Sequence, residues 1–407
     1  MKQLNLEKFI AEKVTKRTES LLFRDLQRFD AQLHAAIDHK RVLVIGGAGT
    51  IGSHYIKALL RYQPAKLVVC DINENGLTEL VRDLRSDGTY HIPADFITYP
   101  INFGDPVFSK MFQAHQPFDI VANFAAHKHV RSEKDMFSIE AMIENNVLRA
   151  HHLLRMLEQH KPQHFFCVST DKAANPVNIM GASKKLMEEL ILAYANVMPI
   201  KTARFANVAF SNGSLPLGFL DRLAKRQPWA CPKNIRRFFV SPLESGELCL
   251  LASIAGESGD IIFPKLDEER DMIPFENVVY DLLAELGLEA DVCATEIEAR
   301  EKMSRFLATP NAKAYPVLFF DSDTSGEKSF EEFYVPGEVL DLEKFIALGA
   351  IKNAPRKPLR EVEAVFSQLR ALFDTRNVAK ADLVEILAQV IPNFAHIEKG
   401  KGLDQRM

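Results

Sequence analysis

Between residues 41 and 207 the chain alternates short, unbroken apolar runs with longer amphipathic stretches. Runs at 41–45, 66–70, 96–101, 119–124, 164–169 and 200–208 are rich in β-branched and aromatic residues. They are too short for helices and suit strands buried on both faces. Helical periodicity fills most of the gaps and is longest at 133–159. This alternation predicts an α/β fold, a Rossmann-type doubly wound parallel sheet. Beyond 208 the elements shorten, with helices expected at 215–225, 243–255, 275–286 and 297–306 and strands at 238–240, 260–263 and 315–320, as in a smaller substrate lobe. The ends differ again. Leu22, Leu26, Phe29, Leu33 and Ile37 form one apolar stripe, and Val362, Val365, Phe366, Leu369 and Leu372, then Leu383, Ile386, Leu387 and Val390, mark two amphipathic helices. The expected division is a helical arm over 1–40, a dinucleotide-binding domain over 41–207, a substrate lobe over 208–350 and a helical tail over 351–407. A stripe as narrow as that of the arm suits either packing on the main domain or contact between subunits, and the second makes a homo-oligomer the expected state.

Composition narrows the class. With 407 residues, 47% of them hydrophobic, the chain can bury a large core, and a net charge of −4 with both signs interspersed gives no footprint for nucleic acid or an anionic membrane. Cys70, Cys167, Cys231, Cys249 and Cys293 are widely spaced and mostly within apolar runs, which points to reduced core thiols and a cytoplasmic protein. The first residues carry charges where a signal peptide needs an apolar stretch, and no run reaches membrane-spanning length.

Chemistry enters first at Gly46, Gly49 and Gly52, which follow the first predicted strand, with Thr50 and Ile51 opening a helix. Strand, glycine turn and helix in this order bring bare backbone N–H groups and a helix N-terminus to a pyrophosphate. A second strand ends in Asp71, about twenty residues on, as the dinucleotide fingerprint requires. An acid there accepts from the adenosine ribose hydroxyls and repels a 2′-phosphate, so NAD is expected over NADP.

The second centre is Thr170-Asp171-Lys172, directly after the strand at 164–169 and before a helix that opens near Asn178 and carries Met180 and Lys184. An acid and a base stand side by side at a carboxyl end of the sheet, where open α/β folds place their ligands. His127, Lys128 and His129 follow the fourth strand and face the same cleft, without the carboxylate spacing that a metal site needs, so no metal is expected.

These segments, with Ala125–Val130, Asn145-Asn146-Val147, Arg204–Val208, Arg237-Phe238-Phe239 and Gly326-Glu327-Lys328, resemble the extended short-chain dehydrogenase/reductases of polysaccharide biosynthesis. Within them the chain is most similar, over about residues 40–345, to the UDP-N-acetylglucosamine 4,6-dehydratase group. Met180 stands where the familiar Tyr-x-x-x-Lys motif has Tyr, as in some members of that group, Ala206 replaces a usual Gly, and Thr324-Ser325 replaces Arg-Pro. The resemblance implies a lyase that uses NAD to convert a UDP-sugar into a 4-keto-6-deoxy product. It implies that Lys172 takes the C5 proton, that Asp171 protonates the departing C6 hydroxyl and that Lys184 binds the nicotinamide ribose. Asn102, Ala125 and Ala126 would line the cofactor, and Lys128, His129, Asn207, Arg237 and Glu327 the substrate. A basic Lys172 calls for a lowered pKa, through burial or through Lys184 or the oxidised nicotinamide as neighbouring cation. With Met at 180, the C4 hydroxyl proton goes to Thr170, Asp171 or water. A sugar-nucleotide epimerase or dehydrogenase of the same fold and a non-catalytic NAD-binding regulator are the alternatives.

If Asp71 selects the cofactor, Asp71→Ala weakens NAD binding much more than NADP binding in a fluorescence titration. Equal weakening of both would overturn that assignment.

Overall fold

The computed structural model describes residues 3–321, 331–352, 354–375 and 378–397. Strands β1 (Arg41–Ile45), β2 (Lys66–Cys70), β3 (Asp95–Tyr99), β4 (Ile120–Asn123), β5 (His164–Val168) and β6 (Ile200–Ala203) are followed by β7 (Asn207–Val208), β8 (Trp229–Pro232) and β9 (Arg236–Val240). Then come β10 (Ile261–Pro264), β11 (Met272–Pro274), β12 (Glu289–Cys293), β13 (Ala314–Phe320), β14 (Val339–Asp341) and β15 (Leu348–Lys352). The main sheet has nine strands in the order β14-β15-β10-β6-β5-β4-β1-β2-β3. From β3 to β10 every pairing is parallel, and β15 and β14 close that edge antiparallel. The chain runs outward from β1 to β3 and returns to β4 on the other side of β1. This reversal opens a crevice at the carboxyl ends of β1 and β4, the place where such sheets bind ligands.

The expected strand over 200–208 is two strands. β6 stays in the main sheet, whereas β7 joins β9 and β11 in a second sheet, β11-β9-β7. Between them lies Arg204, 0% exposed, whose guanidinium bonds both oxygens of Glu188 at 3.0 and 2.9 Å and the Phe333 carbonyl at 2.8 Å. A buried cation must be paired and hydrogen-bonded, so the chain path here follows its partners and not the apolar run. The third sheet, β12-β13-β8, was legible only at β13, because β8 is short and β12 (Glu-Ala-Asp-Val-Cys) has an exposed, acidic character.

Position 207 does not delimit the main sheet. β10, β14 and β15 all return to it from beyond that point, and Ile261, Ile262 and Phe263 are as fully buried as the residues of β1. The helix expected over 133–159 is segmented into a 3-10 turn at Val130–Glu133, a helix at Met136–Ile143, a π-helical turn at Glu144–Leu148 and a helix at Arg149–Gln159. The π turn brings both Asn145 and Asn146 into the interior.

The terminal segments are parts of the same body. On the helix Phe23–Ile37 and its start, Leu22, Leu26, Leu33 and Ile37 are buried in the cluster that contains Val42 and Val44 of β1. The stripe is therefore packed on the core of the same chain, the first of the two uses expected for it. Asp25 fixes the arm by accepting from the Ile346 and Ala347 N–H groups at 2.6 and 2.7 Å. At the other end, helices Leu359–Phe373 and Lys380–Val390 cover the helix Ile179–Tyr194 with Val362, Phe366, Leu369, Leu383 and Leu387. The chain then pairs with the loop after Lys172, Ala395 N–H to Pro176 O at 3.2 Å and Ile397 N–H to Val177 O at 3.0 Å.

Burial pushes the Glu188 carboxyl up, but Arg204 and Lys185 outweigh it and hold the pKa below its ordinary 4.5. Its contribution to stability is present above that ordinary value and lost as pH falls through the lowered one. Glu188→Ala, which strands the Arg204 charge, should cost about 3–5 kcal/mol at neutral pH in denaturant unfolding. The difference from the parent protein should shrink in acid.

Candidate active site

The glycine turn is built by close approach. Gly46 has φ +77, and a Cβ there would stand 2.5 Å from the Ala125 nitrogen. One on Gly52 would meet the Gly46 carbonyl oxygen at 2.3 Å. Gly49 precedes the helix Thr50–Leu59, whose N-terminus has no side-chain cap. Bare backbone and uncapped amides at a helix start suit an anionic pyrophosphate. Asp71 holds this turn to β2, accepting from Ala48 N–H and Asn73 N–H at 2.9 Å each. Asn102, at the next strand end, caps its own turn by accepting from Gly104 N–H at 2.9 Å. Ala125 and Ala126 follow β4, and the Ala125 N–H is fixed by Asn123 Oδ1 at 3.0 Å. Ile51 packs its side chain against the core beneath.

The loop after β4 is pinned from inside. Asn146 accepts from His127 N–H at 2.8 Å, donates to His127 O at 2.9 Å and donates to Ser183 Oγ at 3.1 Å. Beyond that anchor the Lys128 ammonium donates to Asn212 O at 2.9 Å, and His129 lies over Gly213. The Asn212 N–H in turn donates to Thr50 Oγ1 at 3.0 Å. The 211–213 loop thus ties the glycine-turn helix to Lys128 and His129 across the mouth of the cleft.

At the end of β5, Thr170 Oγ1 donates to Asp171 Oδ1 at 2.7 Å, and the Lys172 ammonium bonds both Asp171 oxygens at 3.1 and 3.2 Å. Asp171 is 5% exposed and acts as an acceptor, that is, as a carboxylate. Behind it, Ser169 Oγ donates to Glu188 Oε1 at 2.6 Å, which secures the loop to the Glu188–Arg204 pair. The expectation that Lys172 is held neutral is reversed in the free protein. Burial lowers its pKa, but the Asp171 and Glu331 carboxylates outweigh burial and set it above the ordinary lysine value.

Lys184 is buried, and its ammonium donates to Val168 O at 2.6 Å, at the carboxyl end of β5. Burial lowers its pKa. Met180 is a core residue, 1% exposed, in the same buried cluster as Ile139 and Met142, and its N–H donates to Glu133 Oε1 at 2.9 Å. Asn207 and Arg237 lie on β7 and β9. Asn207 donates to Glu331 and to Phe238 O, and Arg237 Nε stands 3.9 Å from Glu331 Oε1. Glu327 lies outside the described residues. Two acids were not legible as site residues. Glu133 caps the start of the Met180 helix, and Glu331 accepts from Asn207 and from the Phe238 N–H; the sequence signal for Glu331 was only its place shortly after Gly326-Glu327-Lys328.

Comparison with known proteins gives the family. The family described as Polysaccharide biosynthesis protein matches residues 42–336. The chain is 28% identical over 322 residues to an uncharacterized membrane protein of Methanocaldococcus jannaschii, spanning 77% of this chain and 88% of that one. Among the described residues no helix is long and apolar enough to cross a membrane. It is 30% identical over 233 residues to a UDP-glucose 4-epimerase of Rickettsia bellii, covering 56% of this chain and 66% of that protein. It spans about half or less, 49% and 41%, of the matched polysaccharide biosynthesis proteins of Bacillus subtilis and Staphylococcus aureus. The crystal structure of a dTDP-glucose 4,6-dehydratase from Streptomyces venezuelae with NAD bound shares the fold, with TM-score 0.52 and 18% identity over 83% of this chain and 98% of that one. The matched span of the family runs from β1 through the glycine turn, Asp171-Lys172 and Glu331, most of the chain, and the protein therefore belongs to the polysaccharide biosynthesis protein family.

Proposed function

We propose that this chain is a sugar-nucleotide-modifying enzyme, specifically an NAD-dependent 4,6-dehydratase of a UDP-N-acetylhexosamine, with UDP-N-acetylglucosamine as the first candidate. The product, a 4-keto-6-deoxy sugar nucleotide, would feed surface polysaccharide or glycan assembly. The observation that carries this reading is the Thr170-Asp171-Lys172 cluster, an acid and an amine in direct contact at the end of β5, two strands from the glycine turn of β1 and on the same edge of the sheet. An epimerase needs one acid/base group at C4, usually Tyr, and Met180 offers no proton there. A dehydratase needs a base for C5 and an acid for C6, and this pair supplies both chemical types.

The residues present fit NAD. Gly46 and Gly52 leave no room for a Cβ beside the pyrophosphate position, the helix Thr50–Leu59 offers uncapped amides, and Asp71 stands at the end of β2 for the adenosine ribose. NAD when bound supplies the reversible hydride acceptance that the oxidation at C4 and the reduction at C6 require. The chain's own residues do the rest. Lys172 takes the proton from C5, acidic once C4 is a ketone. The proton released by the C4 hydroxyl as C4 is oxidised passes through the Thr170 hydroxyl to Asp171, with which it already shares a 2.7 Å hydrogen bond, Asp171 gives it to the hydroxyl that leaves C6 as water, and Lys172 returns its proton to C5 when hydride is delivered to C6. Lys128 and His129 on the loop after β4, and Asn207 and Arg237 beside Glu331, are the candidates for holding the UDP-sugar.

Mass spectrometry of UDP-N-acetylglucosamine incubated with the protein and NAD should show loss of one water with no net NAD reduction. An isomer of unchanged mass would make the protein an epimerase, and stoichiometric NAD binding without turnover on any UDP-sugar a non-catalytic regulator.

Lys172→Ala should lower product formation by about 10² to 10⁴, leave NAD binding intact and stop exchange of the C5 hydrogen with deuterated solvent. Asp171→Asn should retain that exchange while losing dehydration. Exchange at the parental rate in Lys172→Ala would place the base elsewhere.

A further inference from the structure

Between the turn that carries Asp171 and Lys172 and the helix that carries Met180 and Lys184, the chain runs through 174–178 outside helix and strand. The backbone acceptors of such a segment need partners from elsewhere if its path is to be fixed. Here they come from the end of the tail, beyond the span that the family matches. Asn393 Nδ2 donates to Ala174 O at 3.1 Å and to Asn175 Oδ1 at 3.2 Å, Ala395 N–H to Pro176 O at 3.2 Å and Ile397 N–H to Val177 O at 3.0 Å. Phe394, between them, is buried in the cluster that contains Ile179 and Met180. The tail also reaches the loop after β4. His396 Nε2 stands 3.7 Å from Glu133 Oε2, Glu133 Oε1 accepts from Met180 N–H at 2.9 Å, and the Lys380 ammonium donates to Glu133 O at 3.2 Å. Little slack separates this scaffold from the base: a Cβ on Gly181 would stand 2.7 Å from the Lys172 carbonyl oxygen. A shift of 174–178 against the helix is therefore passed on to Lys172.

We propose that Asn393 is a positioning residue of the acid–base site, and that through it the tail sets the rate of the proton transfers made by Asp171 and Lys172. The proposal deepens the dehydratase reading and rests on it for the identity of the proton that Lys172 removes. Asn393 acts through its two N–H groups, one on the backbone of Ala174 and one on the side chain of Asn175, two and three residues beyond Lys172. The Ala174 N–H in turn donates to Asp171 O at 3.1 Å, so the residue that Asn393 grips closes the turn on which the acid and the base stand. Proton transfer is steeply sensitive to such placement, a misplacement of about 1 Å costing up to about a hundredfold in rate. The cofactor end does not share this dependence. The glycine turn is held by Asp71, at 2.9 Å from Ala48 N–H, and by its close approach to Ala125. Loosening the tail should thus slow the chemistry and spare NAD binding.

Asn393 is exposed, so a substitution there removes its two bonds without opening the core. Asn393→Asp keeps the shape of the side chain and sets acceptors against acceptors. With UDP-N-acetylglucosamine, turnover per NAD-binding site should fall about ten- to a hundredfold, while KM for the sugar nucleotide and the affinity for NAD stay within about twofold of the parent. Hydride leaves C4 before the C5 proton is removed, so the share of cofactor held reduced during turnover, read by absorbance, should rise. A variant that is merely less folded would lose product and reduced cofactor together. Asn393→Ala, which removes both donors without adding charge, should change in the same direction by less. Unchanged turnover in both variants, or a loss matched by loss of NAD-binding sites, would overturn the proposal. A second arm needs no sugar. In the NAD-bound protein, amide hydrogen exchange over 169–178 should quicken about tenfold or more in Asn393→Asp, with exchange over 42–52 unmoved. Exchange over 169–178 at the parental rate would also overturn the proposal. Quickened exchange in a protein whose parent removes water from no UDP-sugar would count against the dehydratase reading and not against the hold of Asn393 on the loop.

Discussion

The buried pairing of Glu188 with Arg204 is the constraint on which the site depends. Both residues are 0% exposed, and together they join four separate pieces of chain. Glu188 stands on the helix that carries Lys184, Ser169 leads into Thr170-Asp171-Lys172, Arg204 directly follows β6, and the Phe333 carbonyl lies two residues beyond Glu331. Buried ion pairs add little net stability compared with apolar packing, but each partner strictly requires the other. Here that requirement fixes where the acid–base loop stands relative to Glu331 and where the chain leaves the main sheet for the smaller one.

The cofactor end of the cleft is organised by sterics instead of charge. Close backbone approach between Gly46 and the segment after β4, and between Gly52 and Gly46, brings the ends of β1 and β4 together, and the lack of side chains is what permits it. The two halves of the cleft are then linked through Asn212, which contacts both Thr50 and Lys128. The π-helical turn has a matching role. By turning Asn146 inward it lets a single amide side chain hold the His127 backbone and Ser183 together, so that the loop after β4 and the Met180 helix share one anchor.

The terminal segments show how additions to an α/β core come to serve it. The arm is fixed by Asp25 to the chain just before β15, and Arg17 reaches Glu244 at 2.9 and 2.8 Å on the start of the helix Pro242–Ala255, which lies against the glycine-turn helix. The tail pairs with Pro176 and Val177, immediately downstream of Lys172. Among the described residues, the tail thus braces the loop that follows Lys172, and the arm braces the helix that lies against the glycine-turn helix.

What the sequence determined by itself was local and periodic. The apolar runs specified β1, β2 and β5, because a strand buried on both faces has no other way to be written, and the glycines, Asp71 and Asp171-Lys172 were readable because each acts within a few residues of a strand end. The tertiary structure decided everything that depends on distant partners. Arg204 breaks the 200–208 run because its counterion is on a helix that lies earlier in the chain, and β14 and β15 are added beside β10 at one side of the sheet with short, mixed sequences that carry no strong signal. The stripe of the arm could serve either mode of packing until the core beneath it was seen. Glu331 had no signature of its own, since its partner Asn207 is 124 positions away, yet its charge adds to that of Asp171 in keeping Lys172 an ammonium. A residue's type is set by the sequence, but its protonation state is set by the charges and the solvent around it, and those are properties of the fold.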